Sequence, residues 1–132
     1  MAISYNMLMN NNNQIDNERR LFDRFQSRFP TKFKDSRVDF GDDVFLRDAS
    51  ANGVNILTKD RLFINDSVSL EVELPDGNDP LVLSGRVTRS KPSLESIMWD
   101  VGVEFDEIDL MKMQRIFKYS HTLFETRQNV ES

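Results

Sequence analysis

The 132-residue sequence contains no cysteine and a single histidine. Without thiols there are no disulfides, thiolate metal sites or cysteine nucleophiles, and one histidine cannot build a histidine-rich metal cluster. Long apolar runs are also missing: no stretch approaches the roughly 20 residues that span a bilayer. The N-terminus has neither the basic start nor the apolar core of a secretory signal, which makes a cytoplasmic location the default expectation.

The apolar residues that are present, 39% of the chain, suffice for one core but not for two independent ones. Residues 1–17 include the run Asn10 to Asn13 with only scattered apolar side chains, which predicts a flexible tail ahead of a single domain over 18–128. Net charge is −5, but it is unevenly placed. Arg19, Arg20, Arg24, Arg28, Lys32, Lys34 and Arg37 face only Asp23 and Asp35 within residues 19–37, so that segment carries +5 and the remainder −10. A concentrated basic segment on an acidic protein suits a compact anion better than a nucleic-acid polymer, which favours a broad basic face.

From Phe29 the pattern becomes short strands separated by turns. Strands are predicted over 29–34, 43–47, 53–58, 67–74, 81–89 and 97–105. Val68, Leu70, Val72 and Leu74 alternate with Ser67, Ser69, Glu71 and Glu73, which places one set inward. Pro75-Asp76-Gly77 then supplies a turn, and Gly85 marks a bulge or bend that would help the sheet curl into a small barrel. After Phe105 the period lengthens: Leu110, Met113, Phe117, Ser120 and Phe124 recur at three and four residues, widened by Ile116 and Leu123. This predicts an amphipathic helix over about 108–127, with Asp106, Glu107 and Asp109 near its positive end. At about 30 Å it is longer than one face of a small barrel needs, so its distal half is a candidate surface for a partner or a homodimer.

Two segments carry candidate chemistry. Arg20 and Arg24 can converge from a helical turn or a curved loop, and each offers a planar fork of donors suited to phosphate oxygens. Taken alone they also fit a solvated basic helix, since Phe22, Phe25, Phe29 and Phe33 fall at helical spacing and Pro30 alone opposes it. Asp48-Ala49-Ser50-Ala51-Asn52-Gly53 connects two predicted strands. Asp48 could accept from N1 and the exocyclic amine of a guanine, Ser50 adds a hydroxyl, and Gly53 permits a left-handed or crowded backbone. The plainer reading is a turn capped by its own Asp48 and Ser50.

Together these residues resemble the PilZ family: Arg20 and Arg24 match its RxxxR motif, and Asp48, Ser50 and Gly53 its D/NxSxxG motif, in order. The turn at 74–77, Gly85-Arg86-Val87, Val101 to Phe105 and the terminal helix are also similar. The resemblance implies a mainly β fold, a six-stranded antiparallel barrel with a C-terminal α-helix, and a receptor for cyclic di-GMP that has no catalytic activity and no cofactor. It implies that Arg20 and Arg24 hold phosphates and guanine faces, that Asp48 and Ser50 read a guanine edge, and that Gly53 keeps the turn compact. Arg19, a further cation, suggests a second ligand molecule in an intercalated dimer. Arg24 to Arg28 is a rival RxxxR register. Ligand binding would order the arginine segment and signal to an unidentified protein effector.

Other readings remain in view. One is a ligand-independent interaction or oligomerisation module; another is a basic amphipathic binder of membrane or nucleic acid, opposed by Pro30 and the acidic remainder. A hydrolase is disfavoured because no cluster of metal ligands is evident to activate water. His121 reads as a helix-surface or interface residue, Trp99 as core or barrel-mouth packing, and Met98, Met111 and Met113 as core fillers. The remaining carboxylates read as solvated surface and a helix cap.

Overall fold

The computed structural model describes residues 20–131, with side chains through residue 120. The predicted 1–17 tail and Arg19 lie outside the described residues, as does the side chain of His121.

Seven strands form: β1 (Phe25–Gln26), β2 (Pro30–Phe33), β3 (Val44–Ser50), β4 (Gly53–Thr58), β5 (Ser67–Val72), β6 (Leu81–Pro92) and β7 (Trp99–Phe105). Every pairing is antiparallel. The hydrogen-bonded order β3-β2-β5-β6-β7-β4 returns to β3 through the β3–β4 pairing, so six strands close into a barrel. The two-residue β1 is an addition, laid along β3 beyond the end of β2. The six predicted strands are all present, and closure leaves the ring without a free edge.

The core follows from alternation. Leu70 and Val72 of β5, Val54 and Ile56 of β4, and Val101 and Val103 of β7 are buried, together with Val44 and Leu46 of β3 and Leu83 and Val87 of β6. Pro30, which lacks an N–H, stands at the first position of β2, where a strand tolerates proline.

Two strands break the alternation. β3 shifts register between Leu46 and Asp48, and β6 between Val87 and Arg89. A bulge sets two residues against one and turns consecutive side chains to the same face. Arg47 and Asp48 therefore both face outward between buried Leu46 and Ala49, and Thr88 and Arg89 both follow buried Val87 outward. The bend expected at Gly85 is thus displaced to Val87–Arg89. Asp48 and Ser50 also lie within β3 rather than in a connection, which shrinks to Ala51 and Asn52. The helical reading of the phenylalanines fails beyond residue 22. Only 20–22 make a helical turn, and Phe25 pairs with Ala49 as strand.

The C-terminal helix spans Leu110–Glu131. Asp109 caps it, its Oδ1 accepting from the amides of Met111 (3.1 Å) and Lys112 (3.2 Å). Met113 and Ile116 enter the core, whereas Met111 is 81% exposed. Residues two apart on a helix face nearly opposite ways, so Met111 cannot share the inward face of Met113. Met98 is only half-buried.

The helix is clamped to the β5–β6 turn. Arg115 donates from Nε to Asp76 Oδ2 at 2.7 Å and from Nη2 to Asp76 Oδ1 at 3.0 Å, with a third bond to the Asp79 carbonyl. The guanidinium hydrogen bond, aided by the Asn78 amide, holds the Asp76 carboxyl down at about 2 from an ordinary 3.8. Because the folded value lies below the unfolded one, the clamp stabilises fully above about pH 4 and is lost as pH falls toward 2. Thermal midpoints measured across this window are expected to fall steeply in the wild type, and less steeply in Arg115→Met, which lacks the partner.

Candidate functional site

Leu21 anchors the arginine segment. Its side chain is 4% exposed and belongs to the core, and its carbonyl accepts from the amide of Ala51, in the turn between β3 and β4. Two residues after Arg24's neighbour Phe25, the Ser27 amide donates to the Arg47 carbonyl at 3.3 Å. The chain from 20 to 27 is thereby tied along β3 at both ends.

That tether brings together residues remote in sequence. Arg24 Nη1 lies 3.1 Å from Asp48 Oδ1, across a separation of 24 residues. Ser50 is buried two positions further along β3, its Oγ accepting from the Asn52 amide at 3.3 Å. Ser50 therefore does cap its own turn, but Asp48 does not: its hydrogen bonds run to Arg24 and Asn55. At Gly53 a Cβ would collide with the Val103 carbonyl oxygen on β7. A crowded backbone, not a left-handed one, is what requires glycine there.

Arg20 is exposed on the helical turn that leads into this site. Arg28 is exposed beyond β1. Among the described residues Arg24 is the arginine of the segment that meets Asp48.

Four further residues extend the site, none of them singled out by the sequence motifs. Asn55 Nδ2 donates to Asp48 Oδ1 at 2.8 Å, and Asn55 Oδ1 accepts from Arg89 Nη2 at 2.8 Å. Arg89 also reaches Asp100 Oδ1 at 3.1 Å, and Arg47 meets Asp100 Oδ2 at 3.2 Å. The result is a continuous polar row across the outside of β3, β4, β7 and β6, with charges alternating in sign and bridged by one neutral amide. Its arginines remain accessible, with 49% of the Arg24 side chain and 44% of the Arg47 and Arg89 side chains exposed.

Trp99 lies at the other end of the barrel. It pairs with Thr58, whereas Gly53 pairs with Glu104. It packs against the core, and the Arg61 guanidinium sits between its ring (4.9 Å) and that of Phe63 (5.0 Å). Barrel-mouth packing, away from the paired motifs, is its place. Among the described residues no group of three or more histidine, cysteine, aspartate or glutamate side chains converges as a metal site. Nor is any helix among them long and apolar enough to cross a membrane.

Residues 18–121 match the PilZ domain family. The chain belongs to the PilZ family. Among solved structures it is similar to the Bacillus subtilis inhibitor of motility (MotI/DgrA), with a TM-score of 0.56 at 17% identity, over 83% of this chain and 50% of that one. This chain therefore spans about half the length of that protein, and at such identity the likeness concerns the fold. A search of curated proteins finds no match. The two PilZ motifs meet in space through the Arg24–Asp48 pair, on a mainly β barrel with the helix that the resemblance implied.

The crowding at Gly53 gives a stability test. Gly53→Ala is expected to destabilise the PilZ domain by about 1–3 kcal/mol, as overpacking does, read as a lower urea midpoint with an unchanged slope. Gly77→Ala is a contrasting control: it meets open space but a positive φ, so it bears on the turn and not on the β4–β7 contact.

Proposed function

We propose that this PilZ domain is a cyclic di-GMP receptor that signals to a protein partner in the cytoplasm, without catalysis and without a cofactor. The observation that supports the reading is the pairing of Arg24 with Asp48 beside Ser50 and Gly53, a guanidinium fork and a carboxylate from two distant segments side by side on the barrel. Phosphates would take the guanidinium forks of Arg20 and Arg24, and Asp48 would accept from the two donors on the guanine edge.

The Arg24–Asp48 pair must open for this. Arg24 is half exposed, and such surface pairs are worth about 1 kcal/mol or less. A ligand held at micromolar affinity brings about 8 kcal/mol. The exchange is therefore inexpensive, and it replaces one carboxylate partner with phosphates while freeing Asp48 for the base.

Because the segment is tied at Leu21 and again at Ser27, the change on binding is read as a re-pairing of Arg24 rather than the ordering of a loose tail. Phe25, the next residue, meets Phe117 edge-on at 5.0 Å. Displacement of Arg24 would thus be felt on the C-terminal helix, the surface offered to an effector. The free energy for the shift comes from the ligand's differential affinity for the two arrangements.

Calorimetric titration with cyclic di-GMP, with GTP and cyclic AMP as controls, tests the reading. Binding is expected for the wild type and a loss of about a hundredfold or more for Arg20→Ala with Arg24→Ala, as for removal of charge-assisted bonds. Separate Arg20→Ala and Arg28→Ala variants decide the register: a loss confined to Arg28→Ala would displace Arg20 from the site. Two ligands per protomer, falling to one in Arg19→Ala, is the outcome expected of an intercalated dimer; one ligand in the wild type removes that arrangement. Hydrogen exchange of the helix amides is expected to change on ligand addition in the wild type, and not in Phe117→Ala, whose affinity stays within about threefold if the ring acts only in transmission.

A further inference from the structure

We infer that Asn55 is a positioning residue for the Asp48 carboxylate and thereby sets the base preference of the site. The inference rests on the ligand reading above. A side-chain amide has a donating end and an accepting end, and Asn55 uses each once: toward Asp48 Oδ1 at 2.8 Å and from Arg89 Nη2 at 2.8 Å. Arginine can only donate and an ionised aspartate can only accept. Flipping the Asn55 amide would set two donors face to face and two acceptors face to face, so Arg89 dictates that the N–H end points at Asp48. Arg89 is itself held by Asp100 at 3.1 Å.

The backbone builds this arrangement. Asp48 lies opposite Asn55, Asn55 opposite Gly102, and Gly102 opposite Arg89. Asn55 and Arg89 are therefore two strands apart and meet across Gly102. A Cβ at Gly102 would stand 3.4 Å from both Asn55 Oδ1 and Arg89 Cβ, in contact with each, so the side chains meet over a position that carries none of its own.

Reading two donors on a guanine edge requires both carboxylate oxygens in a fixed plane. Among the described residues Asp48 Oδ2 has no hydrogen-bond partner, and Oδ1 is shared by Arg24 and Asn55. Arg24 is the group that leaves for the ligand's phosphates. Asn55 is then the described side chain that still holds the carboxylate, with a second lone pair of Oδ1 and all of Oδ2 available to the base.

Calorimetry with cyclic di-GMP and with cyclic di-IMP, whose bases lack the exocyclic amine, tests this on the wild type, Asn55→Ala and Asn55→Asp, with thermal melts to establish folding. The wild type is expected to prefer cyclic di-GMP by about tenfold or more, and Asn55→Ala to bind it about tenfold more weakly with the preference reduced to about twofold. Asn55→Asp retains an acceptor for Arg89 but has no donor for Asp48 at neutral pH. Its binding is expected to fall at least as far, because a second acceptor then faces Asp48. If Asn55→Asp binds like the wild type with the same base preference, Asn55 is only a strut and the inference is wrong. Unchanged affinity and preference in a folded Asn55→Ala also overturns it, with the ligand reading intact. A wild type that binds neither dinucleotide overturns both.

Discussion

A β-strand can turn two successive side chains to the same face only where it gives up its regular register, and β3 and β6, three strands apart in the ring, both do so. The shift at Arg47 carries Asp48 outward and the shift at Thr88 carries Arg89 outward. Continued alternation from Val44 and Leu46, or from Gly85 and Val87, would point each charge into an apolar interior, where an unpaired ion costs many kcal/mol. The two irregularities thus keep the core dry and at the same time supply both ends of the polar row. The remainder of the site is strung between them: Asn55 on β4, the gap at Gly102, and Asp100 on β7.

Charge in this row is unevenly covered. Asp100 is mostly covered, between Arg47 and Arg89, whereas Arg24 is the more exposed partner of Asp48. The half of the row around Asp100 is the more closed, with one carboxylate satisfied by two guanidinium groups. At the Arg24 end the pair is the more open to solvent. A net charge of −5 therefore does not oppose the proposed anion site, since the field near Arg24 comes from a few local arginines and not from the total.

Much of this organisation was readable from the residues. The period of two in Ser67 to Leu74, the Pro75-Asp76-Gly77 turn and the longer period after Phe105 gave six strands and a helix, because burial on one face repeats with the geometry of each element. Arg24 and Asp48, which pair in the structure, are both residues that the motifs single out. The two-residue β1 is too short to show a period, and its place is fixed by Ala49 and Asp48 across the gap. A polar pair beside Ala-Asn-Gly has the look of a turn, whereas the bulge lets a strand hold Asp48 and Ser50. Asn55, Arg89 and Asp100 escaped because their partners lie 7 to 34 residues away and no spacing rule joins them. A signal was available all the same: a charge at an inward position of an alternating strand, as at Asp48 and Arg89, marks a bulge.

The anchoring of Leu21 has a consequence for affinity. Side chains recruited from a loose tail lose freedom when they close on a ligand, and that loss subtracts from the contacts they make. Arg24 stands on a short stretch fixed at Leu21 by the Ala51 amide and at Phe25 by its pairing with Ala49, so most of its backbone entropy is already spent when the chain folds. Arg20 adjoins only the first of these ties, on the helical turn at 20–22. If both arginines hold the ligand as proposed, Arg24, tied on either side, contributes its contact at a lower ordering cost than Arg20, tied on one.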